Sequence, residues 1–202
     1  MHMVSEEKIE AFWKWFAQNE QHIRKGEHSD KMVEGLNSHI LAFGLFAWDI
    51  DRDENGDFCL TISPNGSADR LHISQQIIGG APSLPYWAFN SSKPATDWNY
   101  QLEMYDTNVD LQSIDASQWK FVVIPEPDGK VELIICAQNV HILHEDDQWV
   151  AGDTAVTHLL GEELKIQSLA ALEVTTQFES EEEENSKPLT ELQTHFKTQF
   201  GD

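Results

Sequence analysis

Seven residues between two apolar runs, Asp51-Arg52-Asp53-Glu54-Asn55-Gly56-Asp57, carry oxygen-bearing side chains at alternate positions with glycine sixth. Hard cations need several carboxylate and carbonyl oxygens around a sharp turn, and this is the front half of a calcium-binding EF-hand loop. Phe58 suits the apolar eighth position. The twelfth, where a bidentate glutamate closes such a loop, is Ile62, and the flanks read as strands. Asp51, Asp53, Asn55 and Asp57 are therefore candidate ligands for a looser calcium site, weighed against a solvated acidic turn, which is the favoured reading.

A second cluster is His141, His144 and Asp147, with His158 in the helix that follows. Imidazoles with a carboxylate suit zinc or iron. The first two histidines are three apart at a strand-to-helix junction, where side chains need not converge. Asp146 and Asp147 are explained equally well as acids at a helix N-terminus. A third candidate is a small-ligand pocket lined by Trp15, Trp87 or Trp98; Trp15 sits off the apolar stripe of its helix, although packing against a neighbour explains it as well. No catalytic residue is assigned. The chain has no Gly-x-Ser-x-Gly elbow, no phosphate-cradling P-loop and no Gly-x-Gly-x-x-Gly after a strand.

Charge narrows the choice of function. The 202 residues hold 35 acids against 13 bases, a formal charge of −22. That field repels nucleic-acid phosphates and anionic membranes, and favours cations or a basic protein partner. A solubility or salt-adapted surface accounts for the charge with no partner at all. The expectation is a non-catalytic acidic protein, a regulator or immunity protein for example, that binds a basic partner. The alternatives are a metal-assisted hydrolase on the histidine cluster, or small-ligand binding in an aromatic pocket. Neither nucleic acid nor membrane is expected as a partner, and nothing in the chain speaks to oligomeric state. Cys59 and Cys136 lie in expected strands without metal spacing, which reads as free thiols in a reducing compartment. The first residues lack the layout of a signal peptide. The longest apolar run, 40–48, is far short of the ~20 residues that span a bilayer. A cytoplasmic location follows as an expectation.

The elements that would position these groups are organised around residues 119–139. Apolar runs at 121–124 and 131–137 flank Pro125-Glu126-Pro127-Asp128-Gly129-Lys130, a hairpin signal. Both faces of both runs are apolar, which predicts a hairpin in the middle of a sheet. Before it, Ser5 caps a helix with Ile9, Phe12, Trp13 and Phe16 on one face. A polar linker follows at 21–29, with His22, Gly26 and His28, and Asp30 caps a second helix ended by Gly44. The runs 45–50 and 58–62 form a second hairpin. Their apolar rows share a face only if Trp48 opposes Ile62 and Ile50 opposes Leu60, which predicts a five-residue loop at 53–57. A helix at 67–78, a short strand at 86–90, a period-two strand from Trp98 to Tyr105 and a strand at 109–114 complete the first part.

After the central hairpin come a helix at 147–160 with Trp149, Val156 and Leu160 on its stripe, and a strand at 171–178. A solvated acidic linker at 179–187 and an amphipathic helix from 188 end the chain. Strand, acidic Gly turn, strand, helix, strand occurs at 45–90 and again at 119–178. This is either a duplicated ββαβ unit within one continuous sheet or the common grammar of α+β folds. The predicted class is α+β, a mixed and mostly antiparallel sheet covered by helices. The predicted organisation is one domain over 1–178, made of a helical layer at 4–44, the two units and connecting strands at 98–114, with 179–187 as linker and 188–202 as a terminal helix.

Phe12-Trp13-Lys14-Trp15-Phe16 with Asn19-Glu20, then Ala81-Pro82-x-Leu84-x-x-Trp87-x-Phe89 and Lys93-Pro94, resembles a family of uncharacterised bacterial proteins. That family shares an FWxWFxxNE helix and an APxLxxW segment. The resemblance extends loosely to Asp128-Gly129-Lys130-Val131-x-Leu133 and Leu160-Gly161-Glu162. It implies a bacterial protein and brings no activity, so no functional residue is carried over from it.

Overall fold

Ser5 starts the first helix as its spacing predicts: its hydroxyl accepts the Lys8 amide at 3.3 Å. The computed structural model describes residues 4–26, 29–53 and 55–200. Glu27 and His28 of the expected linker, and Glu54 of the acidic loop, lie outside the described residues. The chain divides into two compact units, residues 1–93 and 94–202, where one domain was expected.

In the first unit, α1 (Glu6–Lys25) takes in most of the expected linker, His22 included, and ends on Gly26 in the left-handed conformation. It is followed by α2 (Ser29–Leu41), β1 (Ala47–Arg52), β2 (Phe58–Ser63), α3 (Ala68–Gly79) and β3 (Trp87–Asn90). Asp30, expected as a cap, sits in the first turn of α2. The apolar stripe of α1 is buried: Phe12, Trp13 and Phe16 pack with Leu36, Ile40, Leu60, Ile62 and Ile77. Trp13 also donates its indole N–H to the Ile77 carbonyl at 2.7 Å, tying α1 to α3. The register of β1 on β2 is the one the apolar rows require, with Trp48 opposite Ile62 and Ile50 opposite Leu60.

The second unit holds β4 (Gln101–Tyr105), β5 (Leu111–Asp115), β6 (Lys120–Pro125), β7 (Val131–Cys136), α4 (Glu145–Leu160), α5 (Glu162–Ser168), β8 (Leu169–Thr175), α6 (Ser180–Asn185), β9 (Lys187–Pro188) and α7 (Leu192–Phe200). The strand expected from Trp98 begins only at Gln101, because Tyr100 adopts a left-handed φ of 61° that breaks extended backbone. The expected acidic linker folds as α6, held by a capping box between Glu179 and Glu182. The terminal helix belongs to the core: Leu189, Leu192 and Phe196 pack with Phe121, Leu133, Ile135 and Val156. Trp149, placed on the buried stripe of α4 by its spacing, is 47% exposed.

The class is α+β, with mixed, mostly antiparallel sheets flanked by helices. The ββαβ unit occurs twice with the same strand order. In each case an antiparallel hairpin is followed by a helical crossover (α3 in the first, α4 and α5 in the second) and a strand parallel to the hairpin's second strand. The two units do not share a continuous sheet. β1-β2-β3, β4-β5 and β8-β7-β6-β9 are separate sheets.

The hairpin turns repeat as well. Residues 53–57, 106–110 and 126–130 each close with an amide-to-carbonyl bond from the first to the fifth residue, at 2.8, 3.0 and 2.9 Å. In each, the fourth residue is left-handed: Gly56, Val109 and Gly129. Val109 thus belongs to a turn, not to the strand expected there.

Candidate functional site

The histidines and carboxylates singled out by spacing do not converge. Among the described residues, no three of His, Cys, Asp or Glu are grouped as a metal site would require. Asp53 Oδ1 accepts the amides of Asn55 and Asp57, both at 2.9 Å, and so closes its own turn. Asp106 does the same with Asn108 and Asp110, in a turn with the same alternating oxygens but Leu111 in place of the sixth-position glycine. Backbone hydrogen bonding holds the Asp106 carboxyl below the usual carboxylate value. Alternating oxygens at 51–57 are therefore explained by turn closure. Asp51 accepts the Arg52 amide at 2.7 Å.

In the second cluster, His144 is the N-cap of α4, where Nδ1 accepts the Asp146 amide at 3.3 Å. His141 Nδ1 lies 2.9 Å from the Gln138 carbonyl. Asp147 is 5% exposed and binds Thr107. His158 stacks on Trp98 with ring centroids 5.0 Å apart, and its Nδ1 is 2.7 Å from the Thr96 hydroxyl. The structure thus joins one metal candidate to one ligand-pocket candidate, in a packed aromatic pair.

The other two tryptophans also have packing roles. Trp15 packs at a tilt against His39, with ring centroids 4.8 Å apart, and lies so close to Gly35 that an added Cβ would stand 2.3 Å from its ring. Burial holds His39 below the usual imidazole value. Trp87 is in the core, with its indole N–H donated to Glu20 at 3.0 Å.

Two guanidiniums of the first unit also cap rings, Arg24 over Tyr86 at 5.0 Å and Arg52 over Phe58 at 4.1 Å. Burial raises both thiols, Cys59 and Cys136, above the usual cysteine value, so neither is a ready nucleophile.

A different feature of the second unit is an open groove beside β6. Among the described residues, only the first two of β6 have a strand neighbour on the outer side, Lys120 opposite Pro188 and Phe121 opposite Lys187. From Val122 to Pro125 that side faces a groove of about 670 Å³ between α6 and α7. The central hairpin is therefore not sandwiched as its apolar faces suggested, because β6 becomes an edge strand halfway along. β7 alone of the pair is flanked along its length.

The walls of the groove differ. On one face, Val122 packs with Ile134, Cys136 and Phe178, and Lys120 bonds Glu183 of α6. This wall carries Glu179, Glu181 and Glu182. On the other face, Phe121 packs with the core and lies 5.7 Å from the His195 ring of α7. Burial, then the Lys187 charge, holds His195 below the usual imidazole value, so it adds little positive charge at neutral pH. The result is an apolar floor with one acidic wall and a second wall on which, among the described residues, the one charged group is Lys187, its Nζ 3.3 Å from His195 Nδ1.

Sequence reasoning missed this groove because the outer neighbour of a strand is a tertiary fact. Two signals bear on it in hindsight. Proline within a strand is confined to edges, bulges and strand ends, which marks Pro125. Phe178 followed by Glu179-x-x-Glu182 is a helix start, so the acidic stretch has a fixed place. No helix among the described residues is long and apolar enough to cross a membrane. Compared with known protein families, curated proteins and solved structures, the chain matches none.

Proposed function

We propose that this is a non-catalytic, acidic, cytoplasmic protein that binds a basic protein partner, as a regulator or immunity protein would, and that the partner seats in the groove beside β6. The observation that carries the reading is the meeting of an open apolar strand edge with the carboxylates of Glu179, Glu181 and Glu182. The net charge of −22 adds a field that speeds encounter with a cationic partner and discourages nucleic acid. The separate engagement of His141, His144, Asp147 and His158 weighs against the hydrolase alternative. Membership of the bacterial family with the FWxWFxxNE helix is part of the same proposal and adds no activity to it.

The test is a titration with a fluorescent lysine-rich peptide at two ionic strengths. Saturable binding is expected at low salt, weakening about tenfold or more as the Debye length falls to about 8 Å. Absence of binding at low salt would remove the proposal.

A further inference from the structure

Resting on that reading, we infer that the partner enters as a β-strand, an extended segment that adds to the edge of β6 in line with β9. The phase of the hydrogen bonds along β6 supports this. Glu126 donates its amide across the hairpin to Lys130, and the Trp119 carbonyl accepts the Leu189 amide on the outer side. Backbone groups alternate sides along a strand, so Phe121, Val123 and Pro125 point outward while Val122 and Ile124 point to β7. Phe121 faces β9. Val123 is left with an outward N–H and C=O, and Pro125 with an outward C=O and no N–H. This is the hydrogen-bonding pattern that accepts an added strand over residues 122–125, roughly 13 Å at the rise of extended chain.

The slot stays open because the chain leaves it. Residues ahead of Lys187 would continue β9 opposite Val122 and Val123, but they turn away into α6, whose last residue is Asn185. Pro125 also limits the edge, since a missing donor hinders pairing between two copies of β6.

The two walls then specify the segment. A residue placed opposite Val123 shares its face, beside Phe121 and α7, and should be apolar or small. Its neighbours, opposite Val122 and Ile124, face Glu179, Glu181 and Glu182 and should be Lys or Arg. The occupant is a segment in which basic and apolar residues alternate, with affinity from the main chain and choice from the side chains.

The experiment uses the full chain and three blocked eight-residue peptides of alternating lysine and valine. One is unmodified, one is N-methylated on its valines and one on its lysines. Methylation removes backbone donors without touching the protein, so no folding defect can intervene. Strand addition predicts that methylating the set whose amides face β6 weakens binding about tenfold or more, while methylating the other set changes it less than about threefold. Equal affinity of all three peptides, with Glu181→Lys still weakening each, overturns strand addition and leaves the acidic-groove reading standing. No binding by any peptide at low salt overturns both.

Discussion

Asp147 Oδ2 accepts two hydrogen bonds from Thr107, one from the backbone amide at 3.2 Å and one from the hydroxyl at 3.0 Å. A carboxylate that sequence spacing offers to a metal is the latch between α4 and the 106–110 turn. A buried carboxylate bonded in this way contributes more than a neutral pair. Asp147→Ala should cost about 1.5–3 kcal/mol in urea denaturation. The variant should leave zinc retention on dialysis unchanged.

Val109 holds the left-handed position that glycine holds in the other two turns, with φ of 66° against 83° for Gly56 and 85° for Gly129. Branching at Cβ makes that conformation costly, and at 76% exposure the side chain has little packing to lose. Val109→Gly should therefore stabilise the protein by about 1 kcal/mol, read as a higher denaturation midpoint at unchanged slope.

Gly152 on α4 sets two effects against each other. In a helix interior, alanine is favoured over glycine by about 1 kcal/mol. Here an added Cβ would stand 2.4 Å from the Val174 Cγ2 on β8, inside a packed core. Overpacking of that kind costs about 1–3 kcal/mol, so the clash wins. Gly152→Ala should lower stability, and Gly152→Ala with Val174→Ala should be more stable than the sum of the single effects.

The framework was legible in the sequence where period and punctuation agree. Ser5, the stripe of α1 and the register forced by Trp48 and Ile62 follow from local rules, as does the doubled ββαβ unit. What failed was tertiary. Apolar faces on Phe121, Val122, Val123 and Ile124 report that both sides of β6 are covered, yet they do not report whether its hydrogen-bonding edge is occupied. Ile124, on the Val122 face, is 38% exposed, so even that face is covered only in part. Candidate ligands such as Asp53 and His144 stand out for their side-chain chemistry, while their partners are backbone amides two to four residues further along the chain. Whether one sheet or several results from repeated units depends on contacts that no local window contains.

His39 and His195 are both held below the ordinary imidazole value, mainly by burial. A depressed value means that the unfolded chain takes up these protons first as pH falls. The stability they contribute is full above about 6.5, the unperturbed value, and is lost as pH falls below it through the folded values. Between about pH 7 and 5, wild type should lose more stability than His39→Gln or His195→Gln. Comparison with each variant removes the opposite trend that neutralising so many carboxylates produces. Parallel curves for wild type and variants would show that neither histidine is linked to folding.

The most direct test of the binding account is amide chemical-shift mapping of the isotope-labelled protein with the lysine–valine peptide at low salt. The account predicts saturable shifts concentrated at Val122, Val123 and Ile124 and across 179–187. Small shifts spread evenly over the acidic surface, with β6 unmoved, would contradict it and leave the charge as a solubility device.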